Sequence, residues 1–429
     1  MQGVRLLWEG EAGVTKKLLV LTKHFPYNMG ETAAESYLET EIGYLAEAFD
    51  EVMVVATEAP GDRLPVQALP ANVHSVSLGN VQAMAEKGAC LVAGLTARGG
   101  LAVGAIRSET GLSHKKAAFQ RYFVGKAARK WARLVPALTA TGFEPTHAYS
   151  FWFYDTALLA CWAKELYPCD RAVARAHRYD LYRDRNGAHY LPCREYLLSN
   201  LDAVLPCSDD GAETLKCEYP AFAGKVVRAY LGTRELPDRS CDPKGDPFRV
   251  VSCSRAVPVK RLPLLRDAMA LLDAEGARII WTHYGDGPDL AAVRDGAAGF
   301  SSVRAEFPGN VPNAELLGIY ASRHIDVFVN ASASEGLPIS IMEASGHGVP
   351  VVATDVGGTS EIVRDGASGV LVPEGVDAAG LAVAIRRFYD MDSEGLAGYR
   401  RAARRSWVER FQTKDNVGIL LDALRGKVN

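Results

Sequence analysis

Short apolar runs alternate with helical stretches along this chain, and the alternation stops once and then begins again. "KKLLVLT" (16–22), "EVMVVAT" (51–57), "THAYS", "RAVARAH" and "AVLPCS" (203–208) read as buried strands. "TAAESYLETEIGYLAEAF" (32–49) has helical spacing between two of them. Strand–helix–strand order predicts a doubly wound α/β domain. From Gly232 to Phe248, "GTRELPDRSCDPKGDPF" is rich in Pro, Gly and charge, the composition of an interdomain linker. "RVVSCS", "ARIIWTHYG", "IDVFVNA" and "GVLVP" then alternate with "RLPLLRDAMALLDA", "NAELLGIYASR" and "GLAVAIRRFYD". A second doubly wound domain follows.

The 429 residues exceed one ordinary core, which agrees with two domains. The expected fold is two doubly wound Rossmann-like domains facing across a cleft. The expected boundaries are 1–236, 237–404 and a helical tail over 405–429. That tail, "RSWVERFQTKDNVGILLDAL" (405–424), carries an apolar stripe of Val417, Leu420, Leu421 and Leu424. A net charge of −3 argues against a general nucleic-acid binder. Eight Cys without a CxxC pair suit a reducing compartment rather than a disulfide framework or zinc site. No apolar run reaches the ~18 residues of a membrane span, and "MQGVRLLWEGEAGVTKK" lacks the apolar centre of a signal peptide. These features predict a cytoplasmic protein.

In open α/β sheets, ligands bind beyond the carboxyl ends of the strands. Four such ends in the second domain carry candidate chemistry. Arg255 and Lys260 follow "RVVSCS" and suit a diphosphate. "GDGPDL" (285–290) is a Gly-rich turn into a helix, and "PGNVP" is a loop after "VRAEF". "ASASEGLPISIMEASGHGVPVVATDVGGTSEIV" (331–363) places Glu335 before a turn and Glu343 inside the helix after it. Pro338 suits a first helical turn. Ser340 and Glu343 also fit a capping box, so Glu343 can be read either as a cap or as a ligand residue. The glycines of "GG" (357–358) read as a turn.

Motif, order and spacing together resemble the retaining glycosyltransferases of family 4 (glycosyl transferases group 1), with the GT-B fold, most strongly over residues 248–373. The resemblance implies that Glu343 accepts from the ribose hydroxyls of a nucleotide sugar and that Glu335 reaches the transferred sugar. It implies that backbone groups around Gly336, Leu337, Pro338 and Ile339 face sugar and phosphate, that Arg255 and Lys260 hold the diphosphate, and that the backbone near Val311 pairs with the base. In the first domain, "FPYNMGETAAESYL" (25–38) places Gly30 and Glu31 at the loop against the donor phosphates. "RAHRYDLY" (175–182) places His177 near the sugar–acceptor junction. Arg178 and Asp180 are either its neighbours in that pocket or a surface ion pair. The catalytic candidates are thus Glu335, His177, Arg255 and Lys260. No metal or other cofactor is expected, because such enzymes generally need none; the donor is a nucleoside diphosphate sugar, in its UDP form, and the acceptor a glycan or glycolipid. In the same class, a sugar-nucleotide epimerase is the alternative; outside it, a non-catalytic partner that binds nucleotide without turnover.

Two further features stand apart. Asp390-Met391-Asp392 has D-x-D spacing but ends a helix, so it is not read as a metal site. "HKKAAFQRYFVGKAARKWARLV" (114–135) has seven Lys or Arg and no acid. It reads as a helix that can lie on an anionic membrane surface, at the inner face of the plasma membrane, or as a packed helix with a solvated basic side.

Overall fold

The structure is a computed structural model that describes residues 15–27, 35–60, 65, 68–79, 84–96, 100–183 and 187–427. It divides into two compact units, Met1–Tyr230 with Asn416–Asn429, and Leu231–Asp415. The first holds β1 (Lys17–Thr22), β2 (Glu51–Ala56), β3 (Val73–Ser77), β4 (His147–Ser150), β5 (Arg171–Ala176) and β6 (Ala203–Pro206). They form a parallel sheet in the order β3-β2-β1-β4-β5-β6. The second holds β7 (Phe248–Cys253), β8 (Ile279–Tyr284), β9 (Val303–Gly309), β10 (Val327–Asn330), β11 (Val351–Thr354) and β12 (Gly369–Val372). Its order is β12-β11-β10-β7-β8-β9, again parallel. The doubly wound class read from the alternation is therefore the observed one. In each sheet the chain winds outward in one direction and then in the other. The reversal lies between β1 and β4 and between β7 and β10.

Period-two alternation explains why β1 and β2 are apolar along their length. Leu19, Leu21, Met53 and Val55 enter the core on one face of the first sheet. Leu18, Val20, Val52 and Val54 enter the core on the other. β3 escaped the sequence reading because only Val73 of its five residues is buried, as suits an edge strand.

The tail is two helices rather than one. The helix Ser393–Arg410 ends before Phe411, and the helix Thr413–Leu424 follows. Thr233 causes the break. Its N–H donates to Phe411 O at 2.9 Å, its carbonyl accepts from Thr413 N at 3.1 Å, and its Oγ1 accepts from Trp407 Nε1 at 2.7 Å. A chain held by strand-like bonds at this point cannot continue its i→i−4 ladder. Val417, Leu420, Leu421 and Leu424 join the core beside Leu18 and Val20 in the first unit. Arg171 Nε donates to Ala423 O at 3.0 Å.

The basic segment 114–135 lies in the helix His114–Thr141, and its charge is turned largely inward. Lys130 Nζ is 2.6 Å from both Glu58 Oε1 and Asp155 Oδ2. Lys126 Nζ is 2.6 Å from Glu58 Oε1 and 3.4 Å from Asp155 Oδ2. Arg129 and Arg133 both reach Glu86. Four of the seven cations expected to face lipid are therefore paired within the fold. Their acids come from the end of β2, from the start of the helix Asp155–Leu166 and from the helix Met84–Thr96, all outside the segment itself. Among the described residues no single helix is long and apolar enough to cross a membrane.

Burial opposes the charge on Glu58, but Lys130 and then Lys126 outweigh it and hold its carboxyl well below the usual range. Removing one cation would leave two buried carboxylates sharing Lys126. Lys130→Met is expected to lower unfolding free energy by roughly 3–5 kcal/mol in urea titration. An unchanged denaturation midpoint would show that Lys126 alone balances both acids.

Candidate functional site

The reversal between β7 and β10 sets the site of the second unit, because chain leaving these neighbouring strands must share the sheet's carboxyl edge. β7 hands on to Arg255 and to the turn Pro258–Lys260. β10 hands on to Ser332, Glu335 and the helix Ile339–Gly346. Lys260 and Glu335 meet: Nζ lies 2.5 Å from Oε1. Ser332 Oγ (2.6 Å) and Asn330 Nδ2 (3.2 Å) donate to the same oxygen. Glu335 is 8% exposed, and among the described residues its Oε2 receives no donor. Arg255 is exposed and has no ion pair among the described residues.

The Glu335 loop is fixed from several sides. Arg261 Nε donates to Ala331 O at 2.7 Å, and Ala333 N to Val259 O at 2.8 Å. Thr354 Oγ1 donates to Ser332 O at 2.5 Å, and Gly358 N to Gly336 O at 2.7 Å. Gly357 has φ 55°, and a Cβ there would fall 2.1 Å from Glu335 O. The glycine pair 357–358 thus does more than turn the chain. It lets one backbone approach another and shapes the loop that carries Glu335.

Glu343 is not a capping residue. The helix Ile339–Gly346 starts after Pro338, which is its N-cap rather than part of its first turn, and Ser340 lies inside the helix. Glu343 is 5% exposed, and its Oε1 accepts from Asn313 Nδ2 at 2.8 Å. Asn313 opens the helix Asn313–Ser322, two residues past Val311 in the loop after β9. The sequence reading missed Asn313, since only the fold brings that loop to Glu343. Burial, opposed by the Asn313 hydrogen bond, pushes the Glu343 carboxyl up to about 7. Gly336, Leu337 and Pro338 lie between the two glutamates, and Ile339 is the first helical residue. Leading N–H groups of a helix lack intrahelical partners and can meet an anion.

The D-x-D segment has structural work instead. Asp390 pairs with Arg386 at 3.1 Å, and Asp392 Oδ1 accepts from Gly395 N at 2.8 Å as a helix cap. Among the described residues no group of three or more His, Cys, Asp or Glu could hold a metal ion.

In the first unit, Gly30 and Glu31 lie outside the described residues. Glu35, which the sequence reading passed over, governs the turn after β1. Its Oε2 accepts from His24 N (2.7 Å) and Phe25 N (2.6 Å). Its Oε1 accepts from Lys23 N (2.8 Å) and Trp152 Nε1 (2.6 Å). The Trp152 ring lies 4.7 Å from the His177 ring, and Phe151 lies at the same distance. His177 Nδ1 lies 3.9 Å from Asp180 Oδ2, and its Nε2 has no hydrogen-bond partner among the described residues. Asp180 is fully buried and accepts from His177 N (2.5 Å) and Phe153 N (2.7 Å), so it orients backbone instead of lying at the surface.

The raised Glu343 value gives a pH prediction. Between about 4.5 and 7 the folded state binds a proton at Glu343 that the unfolded state has lost, so stability falls as pH rises through this window. The full loss at higher pH is about 3 kcal/mol. Glu343→Gln should remove this contribution, which denaturant titrations from pH 4 to pH 8 would read as a flatter profile. Parallel profiles for the two proteins would show that Glu343 is charged throughout.

Comparison with known proteins agrees with this geometry. Residues 247–391 match the family Glycosyl transferases group 1. The putative colanic acid biosynthesis glycosyltransferase WcaL of Salmonella typhimurium is 30% identical over 245 residues, 55% of this chain and 59% of that relative. The chain thus spans less than two thirds of WcaL. The amylovoran biosynthesis glycosyltransferase AmsK of Erwinia amylovora is 29% identical over 283 residues, 64% of this chain and 69% of that relative. The solved structure of Anabaena Alr3699/HepE in complex with UDP and glucose matches with a TM-score of 0.64 at 17% identity, covering 95% of this chain and 99% of that one. The second unit thus matches the family Glycosyl transferases group 1 over residues 247–391, and the chain is built on the GT-B fold.

Proposed function

We propose that this chain is a retaining, metal-independent glycosyltransferase. It moves a sugar from a nucleoside diphosphate sugar, in the UDP form, to a hydroxyl of a lipid-linked glycan during exopolysaccharide assembly on the cytoplasmic side of the membrane. One observation carries the reading. At the carboxyl edge of the second sheet, two buried carboxylates each have one oxygen engaged by protein donors and a second oxygen without a donor among the described residues, and Lys260 pairs with one of them. A carboxylate only accepts, so its open oxygen suits a hydroxyl. Glu343 would take ribose hydroxyls, and Glu335 the hydroxyls of the transferred sugar.

Lys260 has three N–H donors and gives one to Glu335. The remaining two can meet diphosphate oxygens, with Arg255 as a second cation. Charge that grows on the departing diphosphate is then balanced by groups already in place. In the first unit, His177 offers an unpartnered ring nitrogen to a hydroxyl of the donor sugar or acceptor. The UDP form is supported by the ligand named for HepE, and exopolysaccharide assembly by the names of WcaL and AmsK.

A thermal-shift panel of UDP-, GDP- and ADP-sugars tests the donor, since binding raises the melting temperature by mass action. NMR of the product's anomeric carbon tests retention. Arg255→Ala and Lys260→Ala are each expected to lower kcat/KM on the order of 10²-fold while leaving the fold intact. Near-normal turnover in both would remove them from the diphosphate site.

Turnover is expected to continue in excess EDTA, because protein cations stand where Mg²⁺ would otherwise balance phosphate charge. Complete loss that Mg²⁺ restores would overturn the metal-independent reading.

A further inference from the structure

The first unit contains a cavity of about 440 Å³ that the donor chemistry does not use. Its size falls in the ~300–1,000 Å³ range of small-molecule pockets. Aromatic side chains form much of its wall: Phe119, Tyr122, Phe123, Tyr154 and Tyr179. Phe123 and Tyr179 both pack edge-on against Tyr154, with ring centroids 4.8 and 5.8 Å away. The remaining side chains of chemical interest are Lys87, Lys115 and Lys126, and among the described residues no acidic one is part of the lining.

The charge balance decides what such a cavity prefers. Lys126 is already balanced by Glu58 and Asp155. Among the described residues Lys115 is engaged only with a neutral group, donating to Gly187 O at 3.0 Å. Lys87 is exposed and has no ion pair among the described residues. Lys23 adds a further cation nearby. Its Nζ lies 4.3, 5.8 and 5.5 Å from the ring centroids of Trp152, Tyr154 and Tyr179, and it has no carboxylate partner among the described residues. Tyr179 belongs both to this cage and to the cavity wall, and it follows His177 by two residues. The cavity therefore has aromatic walls, lysines as its charged groups among the described residues, and a border at Tyr179, two residues after His177.

We propose that this cavity binds the glycosyl acceptor and selects one bearing an acidic group, a uronate carboxylate or a sugar phosphate. The C–H faces of a sugar ring pack on the aromatic walls. Lys87 and Lys115 meet the anion with charge-assisted hydrogen bonds. The inference rests on the transferase reading only for the word acceptor. The binding itself is independent of it.

The test is ligand-observed NMR and calorimetry on the full chain with three probes: a neutral disaccharide, the same disaccharide ending in glucuronate, and glucose 1-phosphate. Both acidic probes should bind about tenfold or more tightly than the neutral one, and their ratio distinguishes carboxylate from phosphate. Lys87→Ala/Lys115→Ala should abolish that preference. Tyr122→Ala should weaken all three probes. UDP binding, measured on the same samples, should stay unchanged in every variant. Equal binding of neutral and acidic probes would overturn the selectivity, and saturable binding that ignores both variants would overturn the site. Acidic-probe binding without any UDP binding would leave the cavity in place and overturn the proposed transferase.

Discussion

Two reversals of strand order organise this protein. A parallel strand cannot be followed by its neighbour without a crossover, and crossovers of one hand fill one side of a sheet. Where winding changes direction, two adjacent strands send their loops to opposite faces and leave a crevice at the carboxyl edge. In the second unit these strands are β7 and β10, so Lys260 and Glu335, 75 positions apart in sequence, come to lie 2.5 Å apart. In the first unit they are β1 and β4. There Glu35 accepts from the turn after β1 and from Trp152 after β4.

Both units place charge where water is scarce, and they do so in different ways. The Lys126/Lys130/Glu58/Asp155 cluster is closed, with each cation matched by acids, and it serves packing. The carboxylates of the second unit are left half-satisfied. Glu343 has one hydrogen bond from Asn313 and a carboxyl pushed to about 7 by burial. A buried acceptor with spare capacity is costly to keep, and such sites are where binding chemistry tends to lie. The same contrast separates Asp392, which caps a helix, from Glu343, which does not.

Much of the fold was legible because buried parallel strands are apolar on both faces. β1, β2, β7, β8 and β10 could be read from their runs, whereas β3, an edge strand with one buried residue, could not. Arg255, Lys260, Glu335 and Glu343 were legible as residues at strand ends or in a spaced motif. Glu35 and Asn313 were not, because each matters through a contact made by the fold. The pairing of the basic segment 114–135 was not legible for the same reason. A window without acids reads as a free positive face until other elements supply Glu58, Glu86 and Asp155.

By itself the sequence determined the element types, the two-part division and the charged residues that stand at the strand ends. Hydrophobic period, turn residues and side-chain chemistry are local properties, and a linear chain displays them directly. Only the tertiary structure decided which charges are spent and which remain available. It paired four cations of one helix with distant acids, broke the tail at Thr233, and gave Glu343 a partner in Asn313. The physical reason is that ionisation and hydrogen bonding depend on distance and burial in three dimensions, which separation along the chain does not encode.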